Sequence, residues 1–224
     1  MKRILFTKIG IEAEVKHHLS EVADCDFQEV IKTQIIKPQT TDLPQHAHFL
    51  LTSVSSVKGF QENGFQWQQE PVFCVGSKTA AALERLNIPV LHTAKNAEQL
   101  LQFLLENPCE ETAQFVHFCG NRSLNTLKNG LTAKGYPFHP IAVYETQLLY
   151  PKITSLYDGI AFFSPSGVES FLAKNTLGNA TLFALGTSTE KALKQQSQNP
   201  VITSQQQTLE DLLHTIKHHI KQPD

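Results

Sequence analysis

The sequence predicts an α/β protein made of two similar domains, each built on a parallel sheet. Short apolar runs alternate along the chain with segments of helical spacing. This alternation is typical of parallel sheets covered by helices. Three segments also recur in the same order about half a chain length later, and two unusually long strand-like runs each end at a proline. These observations together predict an internal duplication, with a two-stranded β-ladder joining the two domains.

The pattern predicts strands and helices in regular succession. Each strand is a short apolar or β-branched run, and each helix has apolar residues at intervals of three and four. The predicted strands cover 3–7, 27–36, 48–52, 72–75, 115–119, 137–149, 159–164, 181–185 and 201–202. The predicted helices cover 11–21, 55–63, 77–86, 97–106, 124–134, 166–173, 187–196 and 209–221.

An internal repeat is the main support for two related halves. Residues 53–60 align with 164–171, residues 73–83 with 183–193, and residues 33–38 with 146–151. The first two pairs share one strand–turn–helix pattern, and the three matches keep their order at offsets of 110 to 113 residues. We therefore predict a duplication. Two ordinary α/β halves with convergent turns are the alternative interpretation.

The third match also predicts how the halves are joined. The runs 27–37 and 138–150 exceed the usual strand length, and each ends at a proline, which cannot continue a central strand. If they pair as a ladder, the chain forms two flavodoxin-like domains. Their predicted ranges are 1–32 plus 152–224 and 38–143, with 33–37 and 144–151 as the crossing strands. Alternatively, both runs are long strands of a single sheet.

The composition excludes several classes of protein. Hydrophobic residues make up 41% and charged residues 18%, which indicates a globular chain. The net charge of −2 argues against a broad nucleic-acid surface. Apolar stretches are too short for a membrane span or a signal peptide, so neither is expected. The four cysteines are Cys25, Cys74, Cys109 and Cys119, and their spacing is not that of a metal site. They therefore indicate reduced thiols in a cytoplasmic protein.

Four turns carry the predicted chemistry. Each follows an apolar strand and opens a helix, where Ser and Thr cap the helix and backbone N–H groups can bind an anion. Ligands of open parallel sheets bind at this end of the strands. We expect a ligand with many carboxylates or phosphates, and helix capping alone is the alternative. The candidate residues are Ser53, Ser55, Ser56, Gly76, Ser77, Lys78, Thr79, Ser164, Ser166, Gly167, Gly186, Thr187, Ser188 and Thr189.

Further candidates lie in other turns. Asn121 and Arg122 belong to a fifth turn, and a guanidinium can hold a carboxylate through two hydrogen bonds. Lys8 ends the first predicted strand. Either cation could equally face solvent. The motifs of dinucleotide-binding, triphosphate-binding and α/β-hydrolase loops do not occur in the sequence. His214 and His218 share a helical face without a carboxylate, so no metal site is predicted.

These turns and their order resemble the uroporphyrinogen-III synthase family over nearly the whole chain. The matching segments are 51–53 with Val57, 75–80, 120–122, 143–146, 162–168 and 185–189. The most specific are Phe-Phe-Ser-Pro-Ser-Gly-Val at 162–168 and Val-Tyr-Glu-Thr at 143–146. The sequence departs from the family pattern at three positions. The family often has Arg at the position of Lys8, Asn or Arg at that of Ser55, and Arg at that of Leu124. Arg122 could replace the last of these.

The resemblance implies a cyclising lyase that needs no cofactor, with its active site in a cleft between two domains. Its substrate would be hydroxymethylbilane, a linear tetrapyrrole with eight carboxylates. This substrate loses water and closes through a spiro intermediate to uroporphyrinogen III, with the last pyrrole ring inverted. The resemblance also implies that Tyr144 donates a proton to the departing hydroxyl, and a purely packing role for Tyr144 is the alternative.

We further expect a cytoplasmic monomer with no nucleic-acid or membrane partner, and direct handover of substrate from hydroxymethylbilane synthase is an open possibility. Two other functions stay open on the residues alone. One is a non-catalytic two-domain module that binds a polyanionic small molecule. The other is an enzyme acting on a phosphorylated substrate, although no metal-binding carboxylates accompany the turns.

Overall fold

The computed structural model describes residues 1–221 of the 224-residue chain. The chain separates into two compact units, Met1–Lys32 with Gln147–Asp224, and Thr33–Thr146. The chain thus leaves the first unit after Lys32 and returns to it at Gln147. The finer division predicted above, with separate crossing strands, stays a prediction.

Strands and helices alternate through both units. In chain order they are β1 (Lys2–Phe6), α1 (Glu12–Leu19), β2 (Ala23–Phe27), β3 (Ile31–Ile35), β4 (Ala47–Leu51), α2 (Val54–Glu62), β5 (Val72–Val75), α3 (Ser77–Glu84), β6 (His92–Ala94), α4 (Ala97–Glu106), β7 (Gln114–Gly120), α5 (Thr126–Ala133), β8 (Phe138–Leu148), β9 (Gly159–Phe162), α6 (Pro165–Leu172), β10 (Thr181–Ala184), α7 (Thr187–Gln196), β11 (Val201–Thr203) and α8 (Leu209–Lys221).

The strand orders of the two sheets confirm the duplication. The five-stranded sheet has the order β2-β1-β9-β10-β11, the flavodoxin-like order, and its pairs are parallel. The six-stranded sheet has the order β3-β8-β7-β4-β5-β6. When β4-β5-β6 is matched to β9-β10-β11, β7 and β8 match β1 and β2. The two orders are then the same, apart from β3. The first unit is therefore a circularly permuted version of the second.

The predicted strand over residues 27–36 is wrong. β2 ends at Phe27 and β3 begins at Ile31, and the two strands belong to different sheets. Between them, Val30 is buried, and its carbonyl accepts hydrogen bonds from the Leu149 N–H at 3.0 Å and the Ser170 hydroxyl at 2.5 Å. The side-chain pattern continues through this point, so the sequence does not mark where the backbone changes sheets.

Apolar residues from β4, β7 and α2 form one part of the core of the second unit. Phe118 on β7 is fully buried, with its ring centroid 4.9 Å from those of Phe60 and Phe65 and 5.2 Å from that of Phe49. Edge-to-face packing of this kind adds to the apolar burial that stabilises the sheet. Among the described residues, no helix has the length and apolar character required to cross a membrane.

Candidate functional site

Two of the predicted turns have nearly the same geometry, as a duplication would produce. Ser53 begins α2 with φ −158° and ψ 158°, and Ser164 begins α6 with φ −162° and ψ 158°. The Ser53 hydroxyl accepts a hydrogen bond from the Ser56 N–H at 3.1 Å, and the Ser164 hydroxyl accepts one from the Gly167 N–H, also at 3.1 Å. Both serines are therefore helix caps.

The turns after β5 and β10 leave their helices without a side-chain cap. Gly76 has a φ of +85°, which glycine adopts at low cost. Gly186 is extended, and a β-carbon there would come within 3.1 Å of the Gln207 side chain. The first two backbone N–H groups of each helix make no hydrogen bond to any described residue. These groups belong to Ser77 and Lys78 in α3 and to Thr187 and Ser188 in α7. These N–H groups can bind an anion.

Burial separates the predicted candidates into three groups. Ser77, Lys78, Thr187 and Ser188 are exposed, as are Lys8, Asn121 and Arg122. Ser53, Ser55, Gly76, Ser164 and Ser166 are half-buried. Ser56, Thr79, Gly167, Gly186 and Thr189 are buried. A ligand can therefore reach the exposed hydroxyls and N–H groups directly, whereas the buried members chiefly shape the turns.

Lys8 and Asn121 make defined contacts within their own units. The Lys8 ammonium lies 5.5 Å from the ring centroid of Phe163, within cation–π distance. The Asn121 N–H donates to the Tyr144 carbonyl at 3.2 Å, and its side-chain Oδ1 accepts from the Thr146 N–H at 2.9 Å. The side chain of Asn121 thus supports the backbone next to Tyr144 through a hydrogen bond.

A β-bulge determines where Tyr144 points. β8 pairs with β7 through Cys119 and Ala142, but the next pair joins Gly120 to Tyr144, so Val143 is the extra residue. Bulges of this kind change the direction of a side chain beside functional sites. The Tyr144 ring packs directly against Gly120, where a β-carbon would lie only 2.4 Å from the Tyr144 Cε2 atom.

The hydroxyl of Tyr144 ends a short chain of hydrogen bonds. The Ser56 N–H donates to the Ser53 hydroxyl, which donates to the Tyr144 hydroxyl oxygen at 3.2 Å. Burial raises the pKa of the Tyr144 phenol above its ordinary value, the bond from Ser53 opposes this shift, and nearby Cys119 adds to it. Tyr144 is therefore protonated at neutral pH, and Ser53 is placed to stabilise the phenolate that forms if the proton leaves.

His117 is a buried polar residue beside this site that the sequence analysis missed. Its Nε2 atom lies 3.1 Å from the hydroxyl oxygen of Thr52, the residue before Ser53. Burial lowers the pKa of His117 to about 4, so the ring is neutral at pH 7. The strand alignment of the two sheets places Phe6 at the equivalent position of the first unit. The only feature of the sequence that could have indicated His117 is the presence of a histidine inside an otherwise apolar strand.

The pKa of His117 predicts a loss of stability in mild acid. The unfolded chain, with an ordinary histidine pKa of ~6.5, binds a proton as the pH falls below that value, whereas the folded state does so only near pH 4. Stability should thus fall by roughly 3 kcal/mol between pH 7 and pH 4 because of this residue. In urea unfolding at several pH values, His117→Phe should lack this component; an unchanged pH dependence would contradict the assignment.

Within residues 1–221, no three His, Cys, Asp or Glu side chains are grouped so that they could hold a metal ion. His214, considered above, instead lies with its ring 5.3 Å from that of His18 on the neighbouring helix. The four cysteines are not joined in disulfides.

Duplicated parallel sheets, with hydroxyl-rich turns at the helix N-termini and a half-buried tyrosine beside one of them, define an α/β protein suited to a polyanionic substrate. The family model described as uroporphyrinogen-III synthase HemD matches residues 17–214. The chain belongs to the uroporphyrinogen-III synthase family, whose members are cyclising lyases of tetrapyrrole biosynthesis. Among curated proteins, none matches the sequence significantly.

Solved structures of such synthases share the fold. A mutant uroporphyrinogen III synthase from Thermus thermophilus aligns with a TM-score of 0.70 at 16% identity, covering 98% of this chain and 97% of the other. The synthase from Helicobacter pylori gives 0.67 at 18% identity, covering 98% and 100%. The wild-type Thermus thermophilus enzyme in another crystal form gives 0.55 at 18% identity, covering 99% and 98%. At these identities the likeness concerns the fold.

Proposed function

We propose that this chain cyclises hydroxymethylbilane to uroporphyrinogen III and that Tyr144 is the general acid. In this reaction the bond between the hydroxymethyl carbon and its oxygen breaks, and the hydroxyl leaves as water. Carbon–carbon bonds then form and rearrange through the spiro intermediate, which inverts the last ring. Substrate and product differ by one water and by no change in oxidation state, so the proposed reaction needs no oxidant or reductant.

The hydrogen-bond chain that ends at Tyr144 carries this proposal. A hydroxide is a poor leaving group, and a protonated phenol beside it can supply the missing proton as the bond breaks. The Ser53 hydroxyl donates to the phenol oxygen and would stabilise the negative charge that develops there. The Ser56 N–H, at the positive end of α2, polarises Ser53 in the same direction.

The turns of both units are proposed to bind the substrate carboxylates. In the second unit these turns comprise Ser53, Ser55, Ser56, Gly76, Ser77, Lys78, Thr79 and Arg122, of which the exposed members donate and the buried members shape the turn. In the first unit they comprise Lys8, Ser164, Ser166, Gly167, Gly186, Thr187, Ser188 and Thr189, with the same division between exposed donors and buried members. A hydrogen bond to a charged group contributes ~1.5–3 kcal/mol, so several such bonds can hold the substrate with no single dominant contact.

The proposal assigns the chemistry to the second unit alone. The Ile36 N–H donates to the Val143 carbonyl at 3.1 Å, and the Leu149 N–H donates to the Val30 carbonyl at 3.0 Å. Val30 of the first unit and Val143 of the second are thus equivalent. The next residues are then equivalent too, so Ile31 of the first unit corresponds to Tyr144 of the second. The Ser164 hydroxyl instead contacts the Ser166 hydroxyl at 3.1 Å. The first unit keeps the binding turn but has an apolar residue where the second has a phenol.

The test is an isomer assay. Porphobilinogen is converted to hydroxymethylbilane by its deaminase, which is hydroxymethylbilane synthase. This protein is added, and the products are oxidised and separated. We expect isomer III to replace the isomer I that forms by unassisted closure in a reaction with deaminase alone. A folded protein that binds uroporphyrinogen in a thermal-shift assay, yet leaves the product as isomer I, would instead indicate a binding module. Stabilisation by phosphorylated metabolites alone would favour the phosphorylated-substrate alternative.

Three further properties belong to the proposal. The chain is a monomer, it works in the cytoplasm, and it receives its substrate directly from hydroxymethylbilane synthase. Light scattering on the purified protein tests the first. Fractionation of cells tests the second. For the third, this protein should associate with hydroxymethylbilane synthase in analytical ultracentrifugation under turnover conditions, and the absence of a complex would contradict direct handover.

A further inference from the structure

We propose that Asn121 is a positioning residue for Tyr144. This inference rests on the proposed role of Tyr144 as the acid. The Asn121 N–H donates to the Tyr144 carbonyl at 3.2 Å, and the Asn121 Oδ1 atom accepts from the Thr146 N–H at 2.9 Å. One asparagine thus holds β8 at Tyr144 and again two residues later.

The location of these bonds explains why a side chain is needed. β7 ends at Gly120, and its pairing with β8 has already been interrupted by the bulge at Val143. Past Gly120 there is no further residue of β7 to continue the ladder. The Asn121 side chain takes over, because its amide oxygen accepts from Thr146 as a backbone carbonyl of a longer β7 would. The strand therefore stays ordered just beyond its bulge.

The position of the phenol then depends on three contacts. Asn121 fixes the backbone, Gly120 supports the ring, and Ser53 binds the hydroxyl at 3.2 Å. A displacement of about 1 Å between reacting groups can cost ~10²-fold in rate. Loss of the Asn121 oxygen releases β8 on the carboxyl side of Tyr144. Turnover should consequently fall even when the substrate still binds.

A second interpretation makes Asn121 a ligand for a substrate carboxylate through its side-chain Nδ2, since the residue is exposed. The two interpretations predict different kinetics. A positioning residue acts through Tyr144, so its removal lowers kcat and has no further effect once the phenol is absent. A substrate ligand acts through binding, so its removal raises KM whether or not the phenol is present.

The experiment is a double-mutant cycle in the isomer assay, using Asn121→Ala and Tyr144→Phe. We expect Asn121→Ala alone to lower kcat on the order of 10²-fold, and to lower it less than about 2-fold in the Tyr144→Phe background. Asn121→Asp keeps the oxygen that accepts from Thr146, so it should retain most of kcat and raise KM, because its negative charge repels the carboxylates. Asn125→Ala is the matched control, since this exposed asparagine of the same loop makes no side-chain cap.

A second readout needs no activity. The chain has four tyrosines, so ring-labelled tyrosine gives a simple NMR spectrum in which Tyr144 is the signal absent from Tyr144→Phe. This signal should move in Asn121→Ala and stay near its wild-type position in Asn121→Asp and Asn125→Ala. A raised KM with unchanged kcat in both backgrounds would overturn the proposal, as would an unmoved tyrosine signal in Asn121→Ala. Full turnover by Tyr144→Phe would refute the acid role, and the tyrosine signal would still decide whether Asn121 positions the ring.

Discussion

Tyr144→Phe is expected to lower turnover of hydroxymethylbilane by about 10²–10⁴-fold, the range typical of general acid catalysis. The substitution keeps the ring that packs against Gly120 and removes only the hydroxyl that receives the hydrogen bond from Ser53. The binding turns are unchanged, so the affinity for product should stay near that of the wild type. In the isomer assay the product should revert towards isomer I, because unassisted closure then competes with the weakened enzyme.

Tyr136→Phe is the matched control for this prediction. It removes a hydroxyl from the same unit, one that donates to the Cys109 carbonyl at 3.2 Å and takes no part in the proposed chemistry. Its turnover should equal that of the wild type, and its stability should fall by about 1 kcal/mol, the usual contribution of one hydrogen bond. If Tyr144→Phe and Tyr136→Phe give the same turnover, Tyr144 is not the acid.

The central strands and all eight helices were predictable because their patterns are physically required. Parallel strands inside a sheet are buried on both faces, so β5 and β9 appear in the sequence as continuous apolar runs. Edge strands were harder to find. β2 is Ala-Asp-Cys-Asp-Phe, with its two aspartates more exposed than the three residues that alternate with them, and β6 has only three residues. Neither sequence contains an apolar run long enough to indicate a strand.

The candidate site was predictable only to the level of its turns. Hydroxyl groups and glycines after apolar strands indicate helix N-termini from sequence alone, and the structure has them there. Tyr144 was found through the family resemblance, because its direction depends on a bulge that no local pattern specifies. The hydrogen bonds of Asn121 and His117 depend on which strands become neighbours. They required the sheet topology, which a single sequence does not provide.

Gly120→Ala is expected to lower turnover by on the order of 10²-fold, although it adds only one methyl group. The new β-carbon would lie 2.4 Å from Cε2, 2.6 Å from Cζ and 3.0 Å from the hydroxyl oxygen of Tyr144. These atoms are the far end of a side chain, so the ring can move aside at a cost of about 1 kcal/mol in stability, at the low end for overpacking. It cannot do so and keep its hydrogen bond to Ser53.

Two variants separate this effect from a general loss of packing. Gly130→Ala is the matched control, because its β-carbon would lie 2.3 Å from the Leu101 side chain, in the same unit but with no contact to Tyr144. It should keep wild-type turnover. In a Tyr144→Ala background the obstructing ring is absent, so adding Gly120→Ala should change neither turnover nor the free energy of unfolding by a measurable amount. Wild-type turnover in Gly120→Ala itself would mean that the Tyr144 ring need not lie against Gly120 during the reaction, and the position of the phenol argued here would then be wrong.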